Sequence, residues 1–127
     1  MEPRPRIILI VEDDEDTRLV VKKMLHYALG CKVIEAEDGG TALELAAQQR
    51  PDLILMDLQL PHMSGLEAIG RLQANSEIAT IPILVVSNHC WDGELAHQAK
   101  AAGAQDCLDK SQLVDILIPA VRPYLSS

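Results

Sequence analysis

Several side chains in this sequence have the types and positions to do chemistry together. Glu12, Asp13 and Asp14 follow the apolar run Ile7 to Val11, Asp57 closes the run Leu53 to Met56, and Ser87 and Asp109-Lys110 end two further short runs. Carboxylates held close together repel, and a hard divalent cation relieves that repulsion through oxygen ligands; Mg²⁺ takes one or two of them and keeps several waters. Beside such a cation an Asp carboxylate can attack phosphorus and form an aspartyl phosphate. The cation, a lysine ammonium and a hydroxyl then neutralise and hold the equatorial oxygens of the moving phosphoryl group. The set supplies carboxylates for a cation and a nucleophile, a hydroxyl in Ser87 and an ammonium in Lys110, and Asp13 and Asp57 are the acids best read as belonging to such a site. Alone, each has a plainer reading. Acids after a strand often cap the next helix, the better reading for Asp14 and Asp16, and Lys110 on its own would be a solvated surface lysine. Asp57 differs because it ends a wholly apolar run, where an unpaired charge is costly.

The elements that must bring these residues together can be read from periodicity. Ile7 to Val11, Cys31 to Ala36, Leu53 to Met56, Ile83 to Val86 and, more weakly, Cys107-Leu108 are short, rich in Ile, Val and Leu, and bounded by acids, Gly or Pro, the pattern of strands. Three of them show no alternation, so both faces are covered, as in a parallel sheet between helix layers. Asp16 to Leu29 carries apolar residues at three-and-four spacing, with Gly30 as its C-cap. Capping-box patterns at Thr41 and Ser64 start two more helices, the second ending near Asn75. A fourth helix, Gly93 to Ala102, follows Asp92, and a fifth begins behind Ser111 and runs toward Leu125, with a kink or break expected at Pro119.

Strands and helices in strict alternation give an α/β fold, an open doubly wound five-stranded parallel sheet with five helices. A closed eightfold barrel would need about 250 residues. In an open parallel sheet ligands bind beyond the carboxyl ends of the strands, so residues far apart in sequence meet at one edge.

The chain has 127 residues, with 19 acidic and 11 basic side chains and a formal charge of -8, and it contains three aromatic residues: Tyr27, Trp91 and Tyr124. That balance argues against nucleic-acid partners, which need clustered Lys and Arg or stacking rings. No apolar run is long enough to span a membrane, and the scattered Cys31, Cys90 and Cys107 read as packing thiols in a reducing cytoplasm. Residues 1–127 are read as a single domain. The histidines have no metal-ligand spacing and read as surface residues.

Ile-Val-Glu-Asp-Asp at 10–14, Leu-Ile-Leu-Met-Asp-Leu-Gln-Leu-Pro at 53–61, Met-Ser-Gly at 63–65, Val-Val-Ser at 85–87 and Asp-Lys at 109–110 together resemble the receiver domain of two-component response regulators. The match runs from residue 7 to about 125. The resemblance implies the flavodoxin-like strand order 2-1-3-4-5. It implies that Asp57 takes a phosphoryl group from a histidine kinase or histidine phosphotransfer protein. Asp13 and Asp57 would hold Mg²⁺ with the backbone carbonyl of Gln59, Glu12 would assist through water, and Ser87 and Lys110 would hold the phosphoryl oxygens. Gln59 and His89 would line the approach of hydrolytic water.

The chain ends just after the fifth helix, so a stand-alone receiver is expected, a receiver excised from a hybrid kinase being the alternative. An aspartate-nucleophile phosphatase would need a second Asp where Gln59 stands, and a flavodoxin-like cofactor binder would need a neutral loop in place of residues 12–16.

Two positions depart from the family pattern. Ser111 replaces the proline that usually follows the lysine, and the Lys110-Ser111 bond is expected to be trans. Cys107 stands where the family has the Tyr or Phe that reports phosphorylation on the face of the fourth helix, fifth strand and fifth helix. That face is still the expected docking surface for a downstream protein. The expected route to it runs from Ser87 through Asn88 to Asp92 and repositions Trp91.

Overall fold

The computed structural model describes residues 5–125. Its strands are β1 (Ile7–Val11), β2 (Lys32–Ala36), β3 (Leu53–Asp57), β4 (Ile83–Ser87) and β5 (Asp106–Asp109), and its helices are α1 (Glu15–Leu29), α2 (Gly39–Gln49), α3 (Gly65–Ala74), α4 (Gly93–Ala102) and α5 (Leu113–Leu125). All strand pairs are parallel, in the order β2-β1-β3-β4-β5. The chain reverses its direction of travel across the sheet between β1 and β3, which opens a crevice at their carboxyl ends.

The lack of alternation in β1, β3 and β4 has the expected cause. Ile8 and Ile10 of β1, with Leu53 and Leu55 of β3, pack beneath α1 and α5, whereas Leu9, Val11, Ile54 and Met56 pack on the other face beneath α2, α3 and α4. Both layers are almost wholly aliphatic, and Tyr27 and Trp91 stand exposed outside them. Among the described residues, no helix is long and apolar enough to cross a membrane.

Helix starts follow side-chain caps. Asp14 accepts from the Thr17 amide at 3.0 Å, Ser64 from the Glu67 amide at 3.1 Å and Asp92 from the Glu94 amide at 3.0 Å, each worth about 1 kcal/mol. At α2 the expected Thr41 cap is replaced by Asp38, whose Oδ1 accepts from the Thr41 amide at 2.8 Å, so the helix begins at Gly39. Gly30 closes α1 with φ of 66°, a left-handed conformation glycine takes without strain.

In two places the structure departs further from the sequence reading. α5 runs unbroken through Pro119 and Pro123. Both prolines lie on its exposed side, so the carbonyls they leave unpaired can turn to water, while Leu113, Leu117 and Val121 anchor the opposite side in the core. Cys90 and Cys107 are not packing thiols: they form a disulfide, and Cys31 alone is a free, buried thiol. Their separation of 17 residues conceals that the segment after β4 folds back beside β5, where Val85 pairs with Cys107.

Candidate functional site

Parallel register carries the chemistry-bearing residues to one edge. Val11 pairs with Met56, so Glu12 and Asp57 emerge side by side; Asp57 pairs with Val86, which places Ser87 one step further along the neighbouring strand; and Ser87 pairs with Asp109, directly before Lys110. Glu12, Asp57 and Ser87 are 4%, 4% and 3% exposed, whereas Asp13 is open to solvent at the rim.

The centre of the site is a lysine between two buried acids. Lys110 Nζ donates to Glu12 Oε1 at 2.9 Å, to Glu12 Oε2 at 3.1 Å and to Asp57 Oδ2 at 3.1 Å. The other Asp57 oxygen, Oδ1, accepts from the Gln59 amide at 3.0 Å. Burial raises the Glu12 pKa to about 7, and its contact with Asp57 adds to that rise while Lys110 opposes it. Burial also works against the Lys110 ammonium, but its hydrogen bonds and charge pairing with Glu12 and Asp57 prevail and hold its pKa above the usual lysine value.

One carboxylate oxygen each from Glu12, Asp13 and Asp57 lies within 4.8 Å of the others. Such a set of hard oxygen donors, with one member facing water, fits a hydrated Mg²⁺. Ser87 Oγ, on the other side of Asp57, accepts from the His89 amide at 3.1 Å. His26, His62, His89 and His97 are all exposed and sit on separate elements.

Neighbouring residues also position these groups, and one of them, Arg18, the sequence reading did not single out. Arg18 Nη1 donates to the carbonyl of Glu12 at 2.9 Å and approaches that of Asp13 at 3.5 Å, while its guanidinium reaches Glu35 and Glu37. It therefore fixes the backbone that aims both acids. Only its place one turn into a helix behind an acidic loop could have pointed to it. Gly65 lets α3 approach the end of β3: a Cβ there would collide with the Asp57 carbonyl oxygen and lie 2.6 Å from Leu58 Cα. Asp109 accepts from the Ser111 amide at 2.9 Å and its hydroxyl at 2.8 Å, which seats the short 3-10 turn that starts at Lys110. No peptide bond among the described residues is cis, so Lys110-Ser111 is trans as expected.

The model of the response regulator receiver domain matches residues 8–122. This chain belongs to that family. Among its relatives, the polar-differentiation response regulator DivK of Brucella anthropi is 34% identical over 121 residues, covering 95% of this chain and 97% of that protein. The chemotaxis response regulator CheY4 of Vibrio cholerae superposes with a TM-score of 0.88 at 30% identity, over 96% of this receiver and 100% of that chain. The receiver domain of a Pseudomonas aeruginosa sensor histidine kinase, solved with a magnesium ion in its active-site cleft, gives a TM-score of 0.77 at 32% identity over 91% of this chain and 97% of that one. The present protein is thus a phosphoacceptor module of two-component signalling. Receivers of this type interact with histidine kinases and with downstream targets.

Proposed function

We propose that Asp57 is the phosphoacceptor and that Asp13, Asp57, the carbonyl of Gln59 and, through water, Glu12 hold the Mg²⁺. The observation that carries this reading is the pairing of Lys110 with both Asp57 and Glu12, two acids buried at the carboxyl ends of β3 and β1. A lysine held there has no evident role in packing, but it stands where a phosphoryl group on Asp57 would place an oxygen.

The Asp57 carboxylate attacks the phosphorus of a phosphohistidine on a histidine kinase or histidine phosphotransfer protein. An O–P bond forms, the N–P bond breaks, and the imidazole nitrogen keeps the electron pair. Mg²⁺ supplies charge neutralisation for the phosphoryl oxygens. Lys110 stabilises another of those oxygens, and the Ser87 hydroxyl donates to a third. The Gln59 amide keeps the carboxylate oriented. Return to the resting state is hydrolysis: water attacks phosphorus, the O–P bond to Asp57 breaks and inorganic phosphate leaves. Exposed Gln59 and His89 flank that approach.

The whole chain, 1–127, is read as one receiver working in the cytoplasm. Its only chemistry is on its own Asp57, and it passes the signal to a downstream protein through the face of α4, β5 and α5. Incubation with phosphoramidate, whose P–N bond mimics phosphohistidine, tests the reading. With Mg²⁺ the intact mass gains one phosphoryl group, mapped to Asp57, and chelation prevents it; an adduct elsewhere, or one indifferent to chelation, refutes the assignment.

A further inference from the structure

The Cys90–Cys107 disulfide lies where the signal should leave the site. Cys90 belongs to the turn between β4 and α4, and Cys107 to β5, at the position where the reporting aromatic ring of other receivers stands. The turn is a chain of short links that begins at Ser87. His89 donates its amide to Ser87 Oγ, Asp92 donates its amide to the His89 carbonyl at 2.9 Å, and Trp91 donates its indole N–H to the Asn88 carbonyl at 3.1 Å. The His89 and Trp91 rings meet edge to face with centroids 6.1 Å apart, and Asp92 then caps α4. If Ser87 shifts toward a phosphoryl group, His89 shifts with it, and Cys90 and Trp91 come next. The disulfide ties that same turn to β5.

We propose that Cys90 and Cys107 form a thiol–disulfide switch that sets how readily the Ser87–Asp92 turn can follow phosphorylation of Asp57. The inference rests on the phosphoacceptor reading above. A cross-link can bias a two-state element only if it suits one state better, and here it joins the turn to β5 in the geometry of the unphosphorylated protein. Both cysteines are partly open to solvent, unlike buried Cys31, so a reductant can reach them. Disulfides in the cytoplasm are usually transient and redox-sensing rather than structural.

The reductant is a cytoplasmic dithiol. Its thiolate attacks one Sγ of the bridge, the S–S bond breaks, and the other cysteine leaves as a thiolate that takes up a proton. The second thiol of the reductant resolves the mixed disulfide and releases the first cysteine. Two electrons pass to the bridge, and the reductant becomes a disulfide. Reoxidation reverses the sequence with a low-molecular-weight disulfide such as oxidised glutathione.

The test is a titration of the full chain with beryllofluoride and Mg²⁺, in oxidised and dithiol-reduced forms whose thiol content is verified by alkylation and mass. The midpoint is read from Trp91 emission, because amplitude alone could reflect quenching by the disulfide. Reduced protein should bind about fivefold or more tightly than oxidised protein, the scale of an ordinary allosteric coupling. Cys90→Ser and Cys107→Ala should both match the reduced form under either condition. By reciprocity, beryllofluoride should make the bridge easier to reduce by the same factor. Equal midpoints for the two forms, a redox response that survives in Cys90→Ser, or thiols that oxidised glutathione fails to join overturn the switch and leave the phosphoacceptor site standing. Absence of beryllofluoride binding in every form overturns the phosphoacceptor reading and the switch with it.

Discussion

The acidic crevice between β1 and β3 and the corner between β4 and β5 share one edge of the sheet, yet they are built by different means. The crevice is made of charge taken out of water: Glu12 and Asp57 are buried, Lys110 bridges them, and Asp57 is further held by the Gln59 amide. Each group there constrains the next, because an unpaired charge at such depth is heavily penalised. The corner is a polar turn with Trp91 75% exposed, held by single hydrogen bonds and by one covalent link to β5. The geometry of the crevice is thus fixed by electrostatics that tolerate little change. The corner, proposed above as the output surface, rests on contacts that can be rearranged or replaced, and it holds Cys107, where the resemblance leads one to expect an aromatic ring.

The sharpest way to break the comparison is to remove the proposed nucleophile. Asp57→Asn should lose all phosphorylation by small-molecule donors, and Asp13→Asn should lose both Mg²⁺ binding and phosphorylation; intact mass spectrometry and Mg²⁺ titration measure these. If Asp13→Asn is phosphorylated normally, Asp13 is not part of the site.

Next in size is Lys110→Ala, which leaves two buried carboxylates without their cation. Urea unfolding should show a loss of about 3–5 kcal/mol, part of which Mg²⁺ restores by taking the vacated role. Unchanged stability would mean that the crevice is wetter than its geometry indicates.

Glu12→Gln sharpens the electrostatic side of the contrast. With a folded pKa of about 7 against an ordinary carboxylate value of 4.5, Glu12 binds its proton more tightly in the folded protein. Its contribution to stability is therefore fully present below the unfolded pKa and is lost as pH rises through the folded one. Wild-type stability without Mg²⁺ should accordingly fall between about pH 4.5 and 7 by on the order of 1–3 kcal/mol, and the variant should lack that slope. Chemical unfolding across the window decides it.

The smallest effect belongs to the corner. Trp91→Phe should change stability by within about 0.5 kcal/mol and leave Mg²⁺-dependent phosphorylation intact. A variant that folds normally but loses phosphorylation would show that the corner takes part in the chemistry.

Much of the crevice was legible in the sequence for a topological reason. A parallel α/β sheet sends every strand's carboxyl end to the same edge, so an acid, a hydroxyl or a lysine that directly follows an apolar run has nowhere else to go. Glu12, Asp57, Ser87 and Lys110 meet there as expected. What stayed hidden depends on contacts that local pattern does not encode. Asp38 caps α2 ahead of Thr41 because the chain enters that helix extended from β2. α5 survives Pro119 and Pro123 because tertiary packing of Leu113, Leu117 and Val121 outweighs local propensity. The Cys90–Cys107 pairing requires knowing that the turn after β4 folds over β5, which spacing alone does not reveal.

Whether the crevice generates the signal and the corner receives it is tested most directly by amide chemical shifts of the reduced protein before and after addition of beryllofluoride and Mg²⁺. Shifts should arise at Glu12, Asp57, Ser87 and Lys110 and continue through Asn88–Asp92 to Cys107, and Asp57→Asn should show neither set. Shifts confined to the crevice, or a corner that moves equally in Asp57→Asn, would contradict the connection.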